Sequence, residues 1–170
     1  MNKGLSDELK SAFPDIVPAN RPLASDLQIK DPNWVSGFTS GEGCFWVRLN
    51  NNPAKKKVQV QLEFQITQDS RDKELINSFL SYLDCGRIRV RKYKVLKNDT
   101  CLDFIVTKFC DIDKNIISFF RKYPILGVKA LDFEDWCIAA EIVKSKAHLS
   151  IEGLERIRQI KAGMNKGRDI

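Results

Sequence analysis

A chain of 170 residues is long enough for one domain with a sizeable core and too short for a repeat array or a multidomain machine. Hydrophobic residues make up 43% and charged residues 29%, an ordinary globular balance that excludes both a disordered and a membrane-embedded chain. Twenty-eight Lys and Arg against 22 Asp and Glu leave a net charge of +6, which points to polyanionic partners if the excess is gathered on one surface.

Residues 1–33 hold Pro14, Pro18, Pro22 and Pro32 around one short helical candidate, Ser6–Ala12, and read as an arm or linker. The folded domain is expected over residues 34–167. A short helix is predicted over Pro32–Gly41, then strands at Cys44–Asn50 and Val58–Thr67 joined by the polar turn NNNPAKKK. A helix over Arg71–Leu83 carries Leu75, Ile76, Phe79, Leu80 and Leu83 on one face and ends at Cys85-Gly86. Strands at Arg87–Tyr93 and Cys101–Thr107 flank a turn containing Asn98-Asp99. Helices at Ile112–Lys122, Ala130–Lys146 and Ile151–Met164 complete the chain. The order is αββαββα with extra C-terminal helices, an α+β fold whose mixed four-stranded sheet has helices on one face and leaves the other free.

Period-two alternation defines that free face. It carries Trp46, Arg48 and Asn50 on the first strand, Gln59, Gln61, Glu63 and Gln65 on the second, Arg87, Arg89, Arg91 and Tyr93 on the third, and Asp103 and Thr107 on the fourth. Most such faces simply meet water. The residue types support a second reading, because Arg and Gln match the edges of guanine and adenine in a DNA major groove. Lys55, Lys56 and Lys57 at one hairpin turn, and a basic run from Arg87 through Lys94 to Lys97 that holds no acid, suit phosphate contacts.

Five cysteines (Cys44, Cys85, Cys101, Cys110, Cys137) are widely spaced and form no C-x-x-C pair, so they read as buried thiols rather than a disulfide or zinc framework. His148 is the only histidine, which leaves hydrolytic chemistry to carboxylates. No apolar run is long enough to span a membrane, no targeting signal is present, and neither a membrane nor a small-molecule partner is expected.

The segment WVSGFTSGEGCF (Trp34–Phe45) ends its helix on small residues and Glu42. Ser36, Gly37, Ser40 and Gly41 recur at helical spacing and would let a second helix approach closely. A carboxylate at a helix C-terminus lies at the negative end of the macrodipole. Glu42 is therefore either a solvated bystander beside a left-handed Gly43 cap or a group placed for chemistry.

V-S-G-F-T-S-G-E-G (Val35–Gly43) resembles the LAGLIDADG motif of homing endonucleases in its G-F-x-x-G-E-G-x-F form, directly before a strand. F-Q-I-T-Q (Phe64–Gln68) and Y-P-I-L-G-V-K (Tyr123–Lys129) also fall where that family places them, so the resemblance covers about Asn33–Gly167. It implies that two such helices pack at a twofold axis and bring two acidic residues, here Glu42 from each, to the scissile phosphates. Magnesium held by Glu42 and Gly41 would activate water and stabilise the leaving oxygen, with calcium able to substitute without supporting cleavage. Gln68 would order water around the nucleophile, and Lys129 would stabilise charge at the phosphorus. Ser40 replaces an Asp common in the motif. Asp72 stands where some members carry a basic residue, with Arg71 beside it, so a second basic group is unassigned.

Only one motif is present, which implies either a homodimer through Ser36, Gly37, Ser40 and Gly41 on a palindromic site, or half of a longer protein. MNKG occurs at Met1–Gly4 and again at Met164–Gly167, the pattern expected of the C-terminal half of a two-motif fungal mitochondrial enzyme. The activity implied is metal-dependent double-strand cleavage of duplex DNA at a long site. The rivals are a non-catalytic DNA-binding half-domain and an RNA maturase. A mitochondrial location is a family expectation.

Overall fold

A computed structural model describes residues 6–17, 28–52, 57–92 and 100–168. The first helix, α1 (Asp7–Ala12), is capped by Ser6, whose Oγ accepts from the Leu9 amide at 3.3 Å, and none of its residues is buried. In α2 (Pro32–Glu42) the Asp31 carboxylate accepts from the Asn33 amide at 2.8 Å, and Pro32 supplies a helical φ at the start. Val35 and Thr39 anchor this helix in the core.

Four strands follow: β1 (Gly43–Asn52), β2 (Lys57–Asp69), β3 (Arg87–Lys92) and β4 (Thr100–Val106), with α3 (Lys73–Leu83) between β2 and β3. The sheet order is β1-β2-β4-β3. All three pairings are antiparallel, which corrects the expectation of a mixed sheet. β2 and β3 do run the same way, as a helical connection implies, but β4 lies between them and opposes both. Lys55, Lys56, Tyr93, Lys94 and Lys97 lie outside the described residues, as does the side chain of Lys57.

Alternation packs Phe45 and Val47 of β1, Leu62, Phe64 and Ile66 of β2, and Leu102, Phe104 and Val106 of β4 against the helices. The predicted helix at Ile112 begins earlier, as α4 (Phe109–Asp111), and continues through a π-helical stretch, Ile112–Ile117, into α5 (Ser118–Lys122). Asn115 in that stretch donates to the carbonyls of Leu83 and Asp84, tying it to the end of α3. Then come α6 (Val128–Lys144) and α7 (Ile151–Ala162). Phe45 is the hub of the core, with ring centroids of Phe64, Phe133 and Trp136 at 5.2, 5.3 and 5.1 Å. The indole of Trp136 donates to the Trp46 carbonyl at 3.1 Å, which fixes α6 to β1.

Gly86 turns the chain from α3 into β3 at φ +88°, under the ring of Phe104. A Cβ there would sit 2.7 Å from Phe104 Cε2 and 2.9 Å from the Ile105 carbonyl oxygen. Gly86→Ala is expected to destabilise the fold by about 2–3 kcal/mol, from the unfavourable φ and the overpacking together. A urea midpoint equal to that of the wild type would refute this account.

The thiols are less uniformly buried than expected. Cys137 is buried, Cys110 is exposed, the other three are half-buried, and all are free. Burial pushes the thiols of Cys44 and Cys85 up to about 11 and that of Cys137 up to about 12, so these three stay protonated and unreactive at neutral pH.

Candidate functional site

No loop separates α2 from β1: Glu42 ends one and Gly43 begins the other. Gly43 donates its amide to the Thr39 carbonyl from extended backbone, φ −76° and ψ 155°, rather than from the left-handed conformation expected of a helix cap. Its glycine is required by proximity, because a Cβ would lie 2.5 Å from Thr39 Cγ2 and 2.7 Å from Thr39 O. This abrupt junction leaves Glu42 exposed. Among the described residues no hydrogen bond or ion pair engages its carboxylate, which sits at the negative end of the helix dipole.

Lys129, in the first turn of α6, donates its ammonium to the carbonyl of Gly43, the residue directly after Glu42. The two groups named from sequence are thus brought together through the α2–β1 junction. Gln68 lies two residues beyond Ile66, which pairs with Gly43, so the sheet register sets it at the same end of β1. It is half-buried on the side of β2 that also carries Phe64 and Ile66. Arg71, in contrast, is folded back on its own turn, its Nε 3.1 Å from Asp69 Oδ1.

The donor chemistry at this junction suits a hard cation. Glu42 offers an unpaired carboxylate, and the last carbonyls of α2, including that of Gly41, have no helical partner. Among the described residues, no group of three or more His, Cys, Asp or Glu side chains is placed to hold a metal.

The small residues of α2 divide into two sets. Ser36 is buried and donates to the Tyr123 carbonyl at 2.7 Å, while Ser40 donates to the Ser36 carbonyl at 2.9 Å and accepts from the Leu126 amide at 3.3 Å. Both serine hydroxyls are engaged by the Tyr123–Leu126 segment within the chain, at positions that the sequence reading assigned to an intermolecular contact. Gly37 and Gly41 are the bare positions: a Cβ at either meets nothing within 4 Å. Trp34, three residues before Gly37, and Leu126, beside Ser40, are both exposed apolar side chains next to this bare strip.

On the outer face of the sheet, cationic and amide groups lie outward while the acids are submerged. Trp46, Arg48 and Asn50 stand opposite Glu63, Gln61 and Gln59. Glu63, only 5% exposed, accepts a fork from Arg48: Nε at 3.0 Å and Nη2 at 2.6 Å. The Arg48 guanidinium also lies over the Trp46 ring, 5.3 Å from its centroid. Asp103 is fully buried, and Gln65 is turned into it, donating at 3.0 Å. These three were expected to meet DNA directly, but burial makes them supports for the groups above them. Arg87 donates to the Thr107 hydroxyl at 3.1 Å. Burial raises the pKa of the Asp103 carboxyl, but hydrogen bonds from Thr67, Arg91 and Arg89 more than offset it and hold the group below the usual carboxylate range. The supporting roles of Glu63 and Asp103 escape sequence reasoning because alternation assigns a face and not a depth.

Residues 35–140 match the family model described as "LAGLIDADG endonuclease". The chain is 37% identical over 158 residues to the probable intron-encoded endonuclease 3 of Neurospora crassa, covering 92% of this chain and 29% of that protein. It is also similar to the LAGLIDADG homing endonuclease I-SmaMI bound to cleaved DNA, with 46% identity and a TM-score of 0.88 over 99% of this chain and 55% of that one. The same enzyme bound to uncleaved DNA in the presence of calcium ions gives 46% identity and a TM-score of 0.85 over 98% and 55%. The chain thus spans about half the length of the solved structures it matches.

Proposed function

The chain belongs to the LAGLIDADG endonuclease family, and from that premise we propose that it is one half of a twofold endonuclease that makes double-strand breaks in duplex DNA with a divalent cation. The observation that carries this reading is the bare Glu42 carboxylate at the negative end of α2, with the Lys129 ammonium bonded to the carbonyl of the next residue, Gly43. An anion there is electrostatically unfavourable for the helix and favourable for a bound cation.

Glu42 and the Gly41 carbonyl would hold the cation on this chain, and a second copy would contribute its own Glu42 across the bare Gly37 and Gly41 strip. Magnesium in that position would supply Lewis acidity at the phosphate and lower the pKa of the attacking water. The Lys129 ammonium, anchored on the Gly43 carbonyl, offsets charge that develops at the phosphorus. Gln68 offers an amide that can hydrogen-bond water at the same end of the sheet. Arg48, Arg87, Arg89 and Arg91, with Gln59 and Gln61, present the face that reads the major groove.

The test is incubation of the full chain with duplexes containing inverted repeats, in magnesium, in calcium and in EDTA. Double-strand breaks are expected in magnesium only, with calcium supporting binding without cleavage. Breaks of equal extent in EDTA would overturn the proposal.

A further inference from the structure

Asp103 is buried on a sheet face that otherwise meets solvent, and its two carboxylate oxygens accept four hydrogen bonds and make two further ion-pair contacts. Oδ1 accepts from Thr67 Oγ1 at 2.7 Å, Gln65 Nε2 at 3.0 Å and Arg91 Nη2 at 2.7 Å. Oδ2 accepts from Arg89 Nε at 3.0 Å and lies in ion-pair contact with Arg89 Nη2 at 2.9 Å and Arg91 Nε at 2.7 Å. The sheet register enforces the gathering, since Thr67 and Arg89 are both cross-strand partners of Asp103 and Arg91 is two residues along the edge strand. Two guanidinium groups are thereby held by one edge each, while the Nη1 group of each makes no hydrogen bond among the described residues.

From this geometry we infer that Asp103 is a positioning residue for sequence readout: it pre-sets Arg89 and Arg91 so that their free edges meet guanine acceptors at two separate base pairs. The inference rests on the DNA-binding reading above. Stability alone is a poor reason for such a cluster, because buried ion pairs lose in desolvation much of what they gain in attraction. A long, flexible arginine gains more from being ordered before binding, since the ordering is then not charged against recognition. One carboxylate against two arginines leaves the cluster net positive, so it still attracts phosphate while its free N–H groups select guanine O6 and N7.

The test uses the full-length chain in calcium with a duplex library randomised across the bound site, and scores base preference position by position. Arg89→Ala and Arg91→Ala identify the two base pairs. Asp103→Asn is expected to reduce guanine preference at both by about tenfold each while non-specific affinity is kept or raised, because both cations remain. Thr67→Val, which removes a hydroxyl bonded to Asp103 Oδ1, Gln65 and Arg91 Nη2 but not to Arg89, should relax the Arg91 position more than that of Arg89. In the DNA-free wild type the Nε–H signals of both arginines should exchange slowly in nitrogen-15 NMR spectra, a measurement that needs no variant. A purely structural Asp103 would lower stability and leave the base preferences of the folded variant unchanged, and that result, or Nε–H exchange at the solvent rate in the wild type, would overturn the inference. If the wild type itself selects no duplex sequence, the DNA-binding reading falls and this one with it.

Discussion

Glu42→Gln is expected to lower the magnesium-dependent cleavage rate by about a thousandfold or more, which is roughly 4 kcal/mol of transition-state stabilisation, while melting slightly above the wild type. The two effects have opposite signs for one reason. The carboxylate is exposed and unpaired among the described residues, so its removal breaks no contact with them. At the C-terminus of α2 it also opposes the macrodipole, and neutralising it should stabilise the helix by about 0.3–1 kcal/mol. A solvated bystander would show the stability change alone. Single-turnover cleavage paired with a thermal melt separates the cases, and the mechanism fails if Glu42→Gln cuts at the wild-type rate.

The extent to which the fold is legible in the sequence follows from the range of the interactions involved. Alternation along Val58–Ile66 is a local signal, and the core side chains Leu62, Phe64 and Ile66 fall where it puts them. The same alternation puts Arg89, Asp103 and Thr67 on one face. That Asp103 disappears beneath the arginines depends on β4 inserting between β2 and β3, a non-local choice that a period-two pattern does not contain. Val90 shows the reverse, an apolar residue in core phase on an edge strand that nonetheless remains exposed. At α2 the helical spacing groups Ser36, Gly37, Ser40 and Gly41, yet the Tyr123–Leu126 segment, far away in sequence, engages the two serines and leaves the glycines bare. The left-handed cap that one reading of the sequence assigns to Gly43 is absent. Close approach to Thr39, not a positive φ, is what excludes a side chain. A motif nominates Glu42 and Lys129 as candidates, whereas the link of Lys129 to the Gly43 carbonyl requires α6 to dock on β1.

The bare strip on α2 makes the second large effect predictable. Within one chain a Cβ at Gly37 meets nothing within 4 Å among the described residues, and leucine is a far better helix former than glycine, so Gly37→Leu should stabilise the isolated chain by about 0.5–1 kcal/mol. If the strip packs against the α2 of a second copy, close approach of the two backbones depends on its smallness. A twofold interface meets the added bulk twice, and overpacking by about 1–3 kcal/mol at each copy should weaken association on DNA by roughly a hundredfold or more. Sedimentation with a palindromic duplex is expected to show the variant as a half-site-bound monomer, and double-strand cleavage should fall with the dimer while half-site binding persists. Should Gly37→Leu still dimerise on DNA at wild-type concentration and cut both strands, the second Glu42 must arrive by another surface, and the α2 pairing would have to be abandoned.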